Sequence, residues 1–264
     1  MTNKNQLPMA QRSDADLPGH WLLARLGKRV LRPGGLELTT RLLTSARIND
    51  ADVVELGPGL GRTAADIAAL RPRSYVGIDA NSVPSAPLQK VVAATGGRLV
   101  DADAADTGLP AGSADVVIGE AMLTMQGDGA KKAIVEEAYR VLRPGGRYAI
   151  HELGLMPDDL ADGVKDDIRR DMARAIKVNA RPLTVAEWTT LLTGAGFAVH
   201  SVDRAPMALL QPRRVIADEG PLGALRIVAN VAAHPAARTR VRHMRATFRR
   251  YRGQLTAVAI VAVK

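Results

Sequence analysis

The densest chemical signal in the chain is Glu55-Leu56-Gly57-Pro58-Gly59-Leu60-Gly61, which sits directly between a short apolar strand candidate at 51–56 and a helix-like stretch at 63–70. Three glycines at alternate positions permit a tight turn and let a ligand approach the backbone closely. Asp79 ends the next strand candidate, 24 residues after Glu55, where a carboxylate can take both hydroxyls of a ribose. Pro58 and the lack of GxGxxG spacing, of a Gly-Lys-Ser/Thr loop and of other phosphate-gripping residues argue against a dinucleotide or ATP. The chemistry suggested is a nucleoside held by its sugar rather than by its phosphates.

A second candidate pair is His151-Glu152, at the end of a strand candidate at 148–153. Open α/β sheets bind ligands at the carboxyl ends of their strands, and alternation sends the two side chains to opposite faces. His151 is the first choice for a base or substrate orienter because imidazole titrates near neutral pH; a buried histidine bonded to a neighbouring loop is the alternative. Met122 and Met125 could line an adaptable apolar pocket or fill the core. His20, His200, His234 and His243 show no ligand spacing, and no metal is expected.

The elements that must position these residues alternate. Strand candidates at 51–56, 75–79, 99–101, 115–119 and 148–153 are separated by helical stretches, which implies βαβ units and a parallel sheet. Helical apolar spacing also marks 20–31, 36–47 and 158–177, and Thr184 is placed to N-cap a helix running to about Thr193. Strand candidates at 197–202 and 256–263 close the chain, and residues 1–18 read as a loose tail. Arg-Val-Leu-Arg-Pro-Gly-Gly occurs at 29–35 and again at 140–146; both copies are expected to end a basic helix in a Pro-Gly-Gly turn. The 264 residues contain no cysteine, which removes disulfides, thiolate metal sites and cysteine nucleophiles. With no apolar run long enough to cross a bilayer and no apolar core in the polar N-terminus, a cytoplasmic protein without a transmembrane segment is expected.

VVELGPGLGRTA (53–64), YVGIDA (75–80), DADAADTGLPAGSADVVIGEAML (101–123) and EEAYRVLRPGGRYAIHEL (136–153) together resemble the core of class I S-adenosylmethionine-dependent methyltransferases. The resemblance covers residues 51–153 and is nearest the ubiquinone/menaquinone-biosynthesis-like small-molecule group. It implies a Rossmann-like, seven-stranded, mostly parallel sheet with helices on both faces and an antiparallel last strand. It implies S-adenosyl-L-methionine as cofactor and S-adenosyl-L-homocysteine as product. Gly57, Pro58, Gly59 and Gly61 would pass beneath the cofactor, with Glu55 supporting the loop or meeting the amino group. Asp79, followed by Ala80, would hold the ribose, and Glu120 would floor the methionine pocket. Asp103, followed by Ala104, would meet the adenine amino group; the spacing to Leu109 is longer than the common pattern, so Asp101 and Asp106 stay open beside it.

In this fold the last two strands normally form a hairpin-like pair, yet here residues 204–255 lie between them. That segment holds eleven arginines against Asp218 and Glu219, so it carries the whole +9 net charge of the chain. Helices are expected at about 222–233 and 235–252. On the second, Val241, Met244, Phe248 and Tyr251 form one stripe and Arg238, Arg242, Arg245, Arg249 and Arg252 an adjacent one. The segment is either a docked helix with solvated arginines or a lid in which Arg245, Arg249 and Tyr251 meet an anionic or amphipathic substrate. Nucleic acid is disfavoured because stacking aromatics are scarce.

The expected organisation is thus a tail and helical cap at 1–50, a cofactor-binding core at 51–203, the basic insertion at 204–255 and a final core strand at 256–264. The expected activity is methylation of oxygen, nitrogen or activated carbon on a small or lipid-like acceptor, with His151 and Glu152 as catalytic candidates. Gly119-Glu120-Ala121-Met122 is not the Pro-Pro-aromatic motif of enzymes that methylate exocyclic base amines, and oligomeric state is not legible. The competing readings are an RNA methyltransferase gripping phosphates with the arginine helix, and a non-catalytic binding protein on the same fold.

Overall fold

The computed structural model describes residues 11–80 and 85–264; the tail expected at 1–18 therefore lies partly outside the described residues. Eight strands form one sheet: β1 (Asp52–Leu56), β2 (Ser74–Ile78), β3 (Arg98–Val100), β4 (Ala114–Glu120), β5 (Leu142–Leu155), β6 (Leu183–Thr184), β7 (Ala198–Pro206) and β8 (Leu255–Val263). Their order is β3-β2-β1-β4-β5-β8-β7, and the two-residue β6 pairs with the far end of β5. β1 to β5 are parallel, whereas β8 runs antiparallel to both β5 and β7. This is the mostly parallel Rossmann-like sheet, with a short eighth strand added to the expected seven.

Nine helices accompany it among the described residues: α1 (Gly19–Arg25), α2 (Gly35–Ala46), α3 (Arg62–Ala69), α4 (Ala86–Thr95), α5 (Asp128–Val141), α6 (Asp162–Ile176), α7 (Val185–Gly194), α8 (Pro212–Ala233) and α9 (Pro235–Arg250). Leu255 to Val263 of β8 is an almost unbroken apolar run because both faces of that strand are covered. One face packs Leu38, Leu42 and Leu43 of α2 against Ala257, Ala259 and Val261. The other packs Val135 and Ala138 of α5 and Trp188 of α7 against Tyr148, Ile150 and Ile260. Thr184 caps α7 as expected, with Glu187 completing a capping box.

The N-terminal reading needs correction. The helix expected over 20–31 stops at Arg25, because Gly27 adopts a φ of 102° and turns the chain out of the helix. Residues 28–34 instead cross toward the sheet as an irregular segment, so the first Arg-Val-Leu-Arg-Pro-Gly-Gly copy ends no helix. The second copy ends α5 at Val141 and passes into β5. The insertion is also longer in helix than expected: α8 starts at Pro212 and kinks at Gly220 (φ 75°), immediately before Pro221.

The insertion is a clamp on the N-terminal segment. From α9, one guanidinium nitrogen of the buried Arg240 donates to the carbonyls of Asp14, Ala15 and Leu17 at 2.9–3.0 Å, and Met244 packs with Leu22 and Ala175 of α1 and α6. From α8, Glu219 accepts the backbone N–H groups of Arg29 and Val30, both at 2.8 Å, and Asp218 accepts that of Leu36. Lys28 is buried beside both carboxylates, 3.8 Å from Asp218 and 3.6 Å from Glu219. Asn230 donates to the Leu26 carbonyl at 2.9 Å. The two acids of the insertion are therefore both consumed inward. Among the described residues no helix is long and apolar enough to cross a membrane.

Replacing Arg240 with alanine removes the shared donor of three carbonyls. An unmet buried group costs about 1–3 kcal/mol, so Arg240→Ala should lower stability by about that amount in urea denaturation. Hydrogen exchange should accelerate at Leu22 and Leu23 more than in β1 or β4; uniform acceleration would show that the arginine does not act on the N-terminal segment.

Candidate active site

A cleft of about 340 Å³ opens at the carboxyl ends of β1, β2 and β4. Its base is the glycine turn after β1. Gly57, Gly59 and Gly61 take φ values of 66°, 50° and 73°, which side-chain-bearing residues adopt only at a cost. At Gly61 a Cβ would also stand 2.7 Å from the Leu88 Cα, so glycine is required for α3 to pack against α4. The Gly57 N–H donates to the Ile78 carbonyl at 2.8 Å, and the Gly59 N–H to the Asp79 carboxylate at 3.2 Å. The turn and Asp79 are thereby fixed to one another.

Three carboxylates line the cleft, and their environments differ. Glu55, one residue before the end of β1, is fully buried, and burial pushes its pKa up to about 8. Tyr75 partly opposes that by donating to Glu55 at 2.7 Å. Glu120, at the end of β4, is also buried; burial alone would raise it, yet the Arg32 charge and its other donors hold it down to about 2. Arg32 lies 3.0 Å from one Glu120 oxygen and 3.0 Å from Asp66. Thr63 hydrogen-bonds the same oxygen of Glu120, while Thr39 and His151 meet the other, the His151 Nδ1 at 2.7 Å. At neutral pH one buried carboxyl is thus protonated and its neighbour is ionised.

His151 lines up with Glu120 in the β4–β5 register and has no exposure to solvent. Its Nε2 receives the Gly34 N–H at 3.1 Å, so the ring proton must be on Nδ1, donated to Glu120. Glu152 is equally buried and accepts N–H groups from Met122, Leu123 and Thr124 and the Thr124 hydroxyl, at 2.6–3.0 Å. It shapes the turn after β4. Neither side chain lines the cleft. The expectation that they act on the acceptor is corrected on that ground: all the polar atoms of both are committed to the protein.

The remaining site residues divide clearly. Glu55, Gly57, Pro58, Gly59, Asp79, Glu120, Met122 and Met125 come together around the cleft, and Gly61 caps α3 beside them. Ala80 is exposed. Asp103 does not reach the lining: its carboxylate turns back to the Ala105 N–H at 2.8 Å, and Ala104 packs on the core. Arg245 and Arg249 border a separate groove with Met207, Leu210, Arg213 and Phe248, and Tyr251 donates to Asp171 of α6 at 2.7 Å. The lid expected from 204–255 is therefore not over this cleft. The wall facing the glycine turn comes instead from the N-terminal segment, through His20, Trp21, Arg29, Leu31 and Arg32. Sequence reasoning missed these residues. The repeated Arg-Val-Leu-Arg-Pro-Gly-Gly was their one visible signal, and it carries no hint that Arg32 would meet Glu120.

Residues 54–150 match the family described as a methyltransferase domain. An uncharacterized protein of Haemophilus influenzae is 33% identical over 254 residues, spanning 94% of this chain and 99% of its own. The chain belongs to the class I S-adenosylmethionine-dependent methyltransferases. Similar solved structures include a SAM-dependent methyltransferase from Geobacter sulfurreducens in complex with S-adenosyl-L-homocysteine. It has a TM-score of 0.67 and 18% identity, covering 94% of this chain and 99% of that one. Haemonchus contortus phosphoethanolamine N-methyltransferase 2, in complex with S-adenosyl-L-methionine, has a TM-score of 0.69 and 18% identity, covering 99% of this chain and 59% of that one.

The cleft of this methyltransferase suits a cationic nucleoside cofactor. Glu55, Asp79 and Glu120 line it, with no lysine and no phosphate-binding loop among the described residues, and its three arginines already have acid partners: Arg32 with Glu120 and Asp66, Arg62 with Asp66, and Arg29 with Glu219. The cofactor supplies an electrophilic methyl group on a sulfonium.

The raised Glu55 pKa has a measurable consequence. Its folded value lies above the ordinary 4.5, so between about pH 4.5 and 8 the folded state holds a proton that the unfolded state has lost, and stability falls as pH rises. Urea titrations should show wild type losing up to about 1.4 kcal/mol per pH unit relative to Glu55→Gln across that window. Parallel profiles would place the Glu55 ionisation elsewhere.

Proposed function

We propose that this methyltransferase is a cytoplasmic enzyme that methylates oxygen, nitrogen or activated carbon on a small acceptor with an apolar body and an anionic group. One observation carries this reading: the cleft brings Trp21 and Leu31 of the N-terminal segment and Met122 and Met125 after β4 together with the exposed Arg29, whose guanidinium also pairs with Glu219 at 3.4 Å. The methionines and the indole accommodate apolar surface, and a guanidinium pairs with a carboxylate or phosphate. The name of the phosphoethanolamine methyltransferase neighbour is in keeping with an acceptor bearing a phosphate.

In this reading Asp79 takes the ribose hydroxyls, with the Gly59 N–H keeping its carboxylate in place. Glu55 lies beneath the turn, where a cationic amino group would favour its ionised form; cofactor binding should then release a proton at neutral pH. Glu120 stays ionised and anchors Arg32 and Thr63 at the floor. His151 and Glu152 are positioning residues, the first through Glu120 and the second through the backbone of 122–124. His20 lines the acceptor side, and burial lowers its pKa to about 4, so it is a neutral ring able to accept a hydrogen bond from the acceptor. Its weak basicity suits an acceptor whose nucleophilic atom needs no strong base, and alignment with exclusion of water then supplies most of the rate.

Charge-assisted hydrogen bonds contribute roughly 1.5–3 kcal/mol. Asp79→Ala should therefore weaken S-adenosylmethionine binding about tenfold to a hundredfold in calorimetry, and equal affinities would overturn the ribose assignment. With a deuterated-methyl cofactor, small carboxylates and phosphates bearing an apolar group should gain label. Arg29→Gln should raise the acceptor KM about tenfold with cofactor affinity unaltered. Label appearing in RNA but in none of the small acceptors would establish the RNA methyltransferase reading instead.

A further inference from the structure

We infer that the α8–α9 insertion docks this protein onto an anionic phospholipid surface, through an exposed aliphatic face on α8 flanked by arginines. From Pro221 to Ala233, α8 carries one charged side chain, Arg226. Ala224 and Ile227 are buried, Ile227 beside Gly27, and Asn230 points inward to the Leu26 carbonyl. The opposite face is apolar as well. Leu222, Leu225 and Val228 are 80%, 66% and 63% exposed, with the small exposed side chains of Ala229, Ala232 and Ala233 between and beyond them. A helix that is apolar on both faces belongs in a protein core or in contact with lipid, and a contiguous exposed aliphatic face marks an interaction surface.

Charge decides what covers it. The insertion has no lysine, and the side chains of its only acids, Asp218 and Glu219, are buried beside Lys28. Of its eleven arginines, Arg240 is buried on the N-terminal segment and Arg204, Arg214 and Arg250 pair with Asp158, Glu37 and Asp171, while the other seven are exposed. On α9, Arg238, Arg242, Arg245 and Arg249 are exposed. The first turn of α8 and the last turns of α9 share a groove of about 550 Å³, in which Arg213, Arg245, Arg249 and Arg252 surround Met207 and Phe248. Arginine binds phosphate in a bidentate fork. A second copy of the chain would set one +9 insertion against another. Nucleic acid would satisfy the arginines and leave Leu222, Leu225 and Val228 in water. A bilayer containing acidic phospholipid meets both requirements, taking the aliphatic side chains at its interface and the guanidinium groups at its phosphates. Because α8 and α9 also hold residues 14–36, docking would bring the wall of the cleft close to the lipid.

The test is sedimentation of the full chain with sucrose-loaded vesicles of equal parts phosphatidylglycerol and phosphatidylcholine, against vesicles of phosphatidylcholine alone. The protein should bind the mixed vesicles and not the neutral ones, and 0.5 M salt should weaken binding by about tenfold or more. Leu222→Asp with Leu225→Asp should reduce binding at least about tenfold, as should Arg245→Gln with Arg249→Gln. All four positions are exposed, so circular dichroism and melting should match wild type. Failure to bind the mixed vesicles overturns the proposal. So does binding that the aspartates leave unchanged, which would be non-specific charge attraction. Light scattering showing a dimer that the aspartates dissociate, without vesicle binding, would assign the face to self-association and equally overturn it.

Discussion

The ionised carboxylate of Glu120 is the contact on which the site depends. It is buried at the end of β4, and it stays charged because Arg32, Thr39, Thr63 and His151 converge on its two oxygens. Those partners come from the N-terminal crossing segment, α2, α3 and β5. A buried charge without partners would be expensive, and removing one partner of a buried pair leaves the other exposed to the same penalty. The carboxylate therefore holds four parts of the chain in one arrangement. The irregular segment at 28–34 needs this, since it has no ladder or helix to fix it.

A second set of buried polar contacts secures that segment from behind. Arg240 gathers three carbonyls of residues 14–17, and Glu219 receives two successive backbone N–H groups at Arg29 and Val30. Backbone left irregular must find partners outside itself, and the insertion supplies them. The helical hairpin before the last strand is thus a structural extension of the active site, although it lines none of the cleft. Placing its only acids inward has a corollary: its outer surface carries no acid of its own.

The two glutamates beneath the cleft show how environment assigns protonation. Glu55 and Glu120 are the same residue type near the carboxyl ends of adjacent strands, and both have buried carboxyl groups. Glu55 has a phenol as partner and keeps its proton; Glu120 has a guanidinium and gives its proton up. A cationic ligand entering between them would meet one fixed negative charge and one that can be induced.

The sequence by itself determined the sheet, the glycine turn, Glu55, Asp79 and the place of Glu120. All of these follow from local pattern: apolar runs of strand length, glycines at alternate positions, and acids at strand ends. It also determined that the net charge resides in one insertion. It did not reveal which side chains face the glycine turn across the cleft. Trp21, Arg29 and Arg32 lie in a segment whose helical spacing ends at Gly27, and Arg32 meets a carboxylate 88 residues away in the chain. Nor could it show that β5 runs on to Leu155, beyond His151 and Glu152, or that both side chains are turned into the protein. Whether a polar side chain at a strand end serves the ligand or the fold depends on which donors and acceptors the tertiary structure brings to it. Gly34 for His151 and residues 122–124 for Glu152 arrive from distant stretches. Spacing along a chain fixes the backbone that local interactions control; the partners of a buried polar group are fixed only when the layers close.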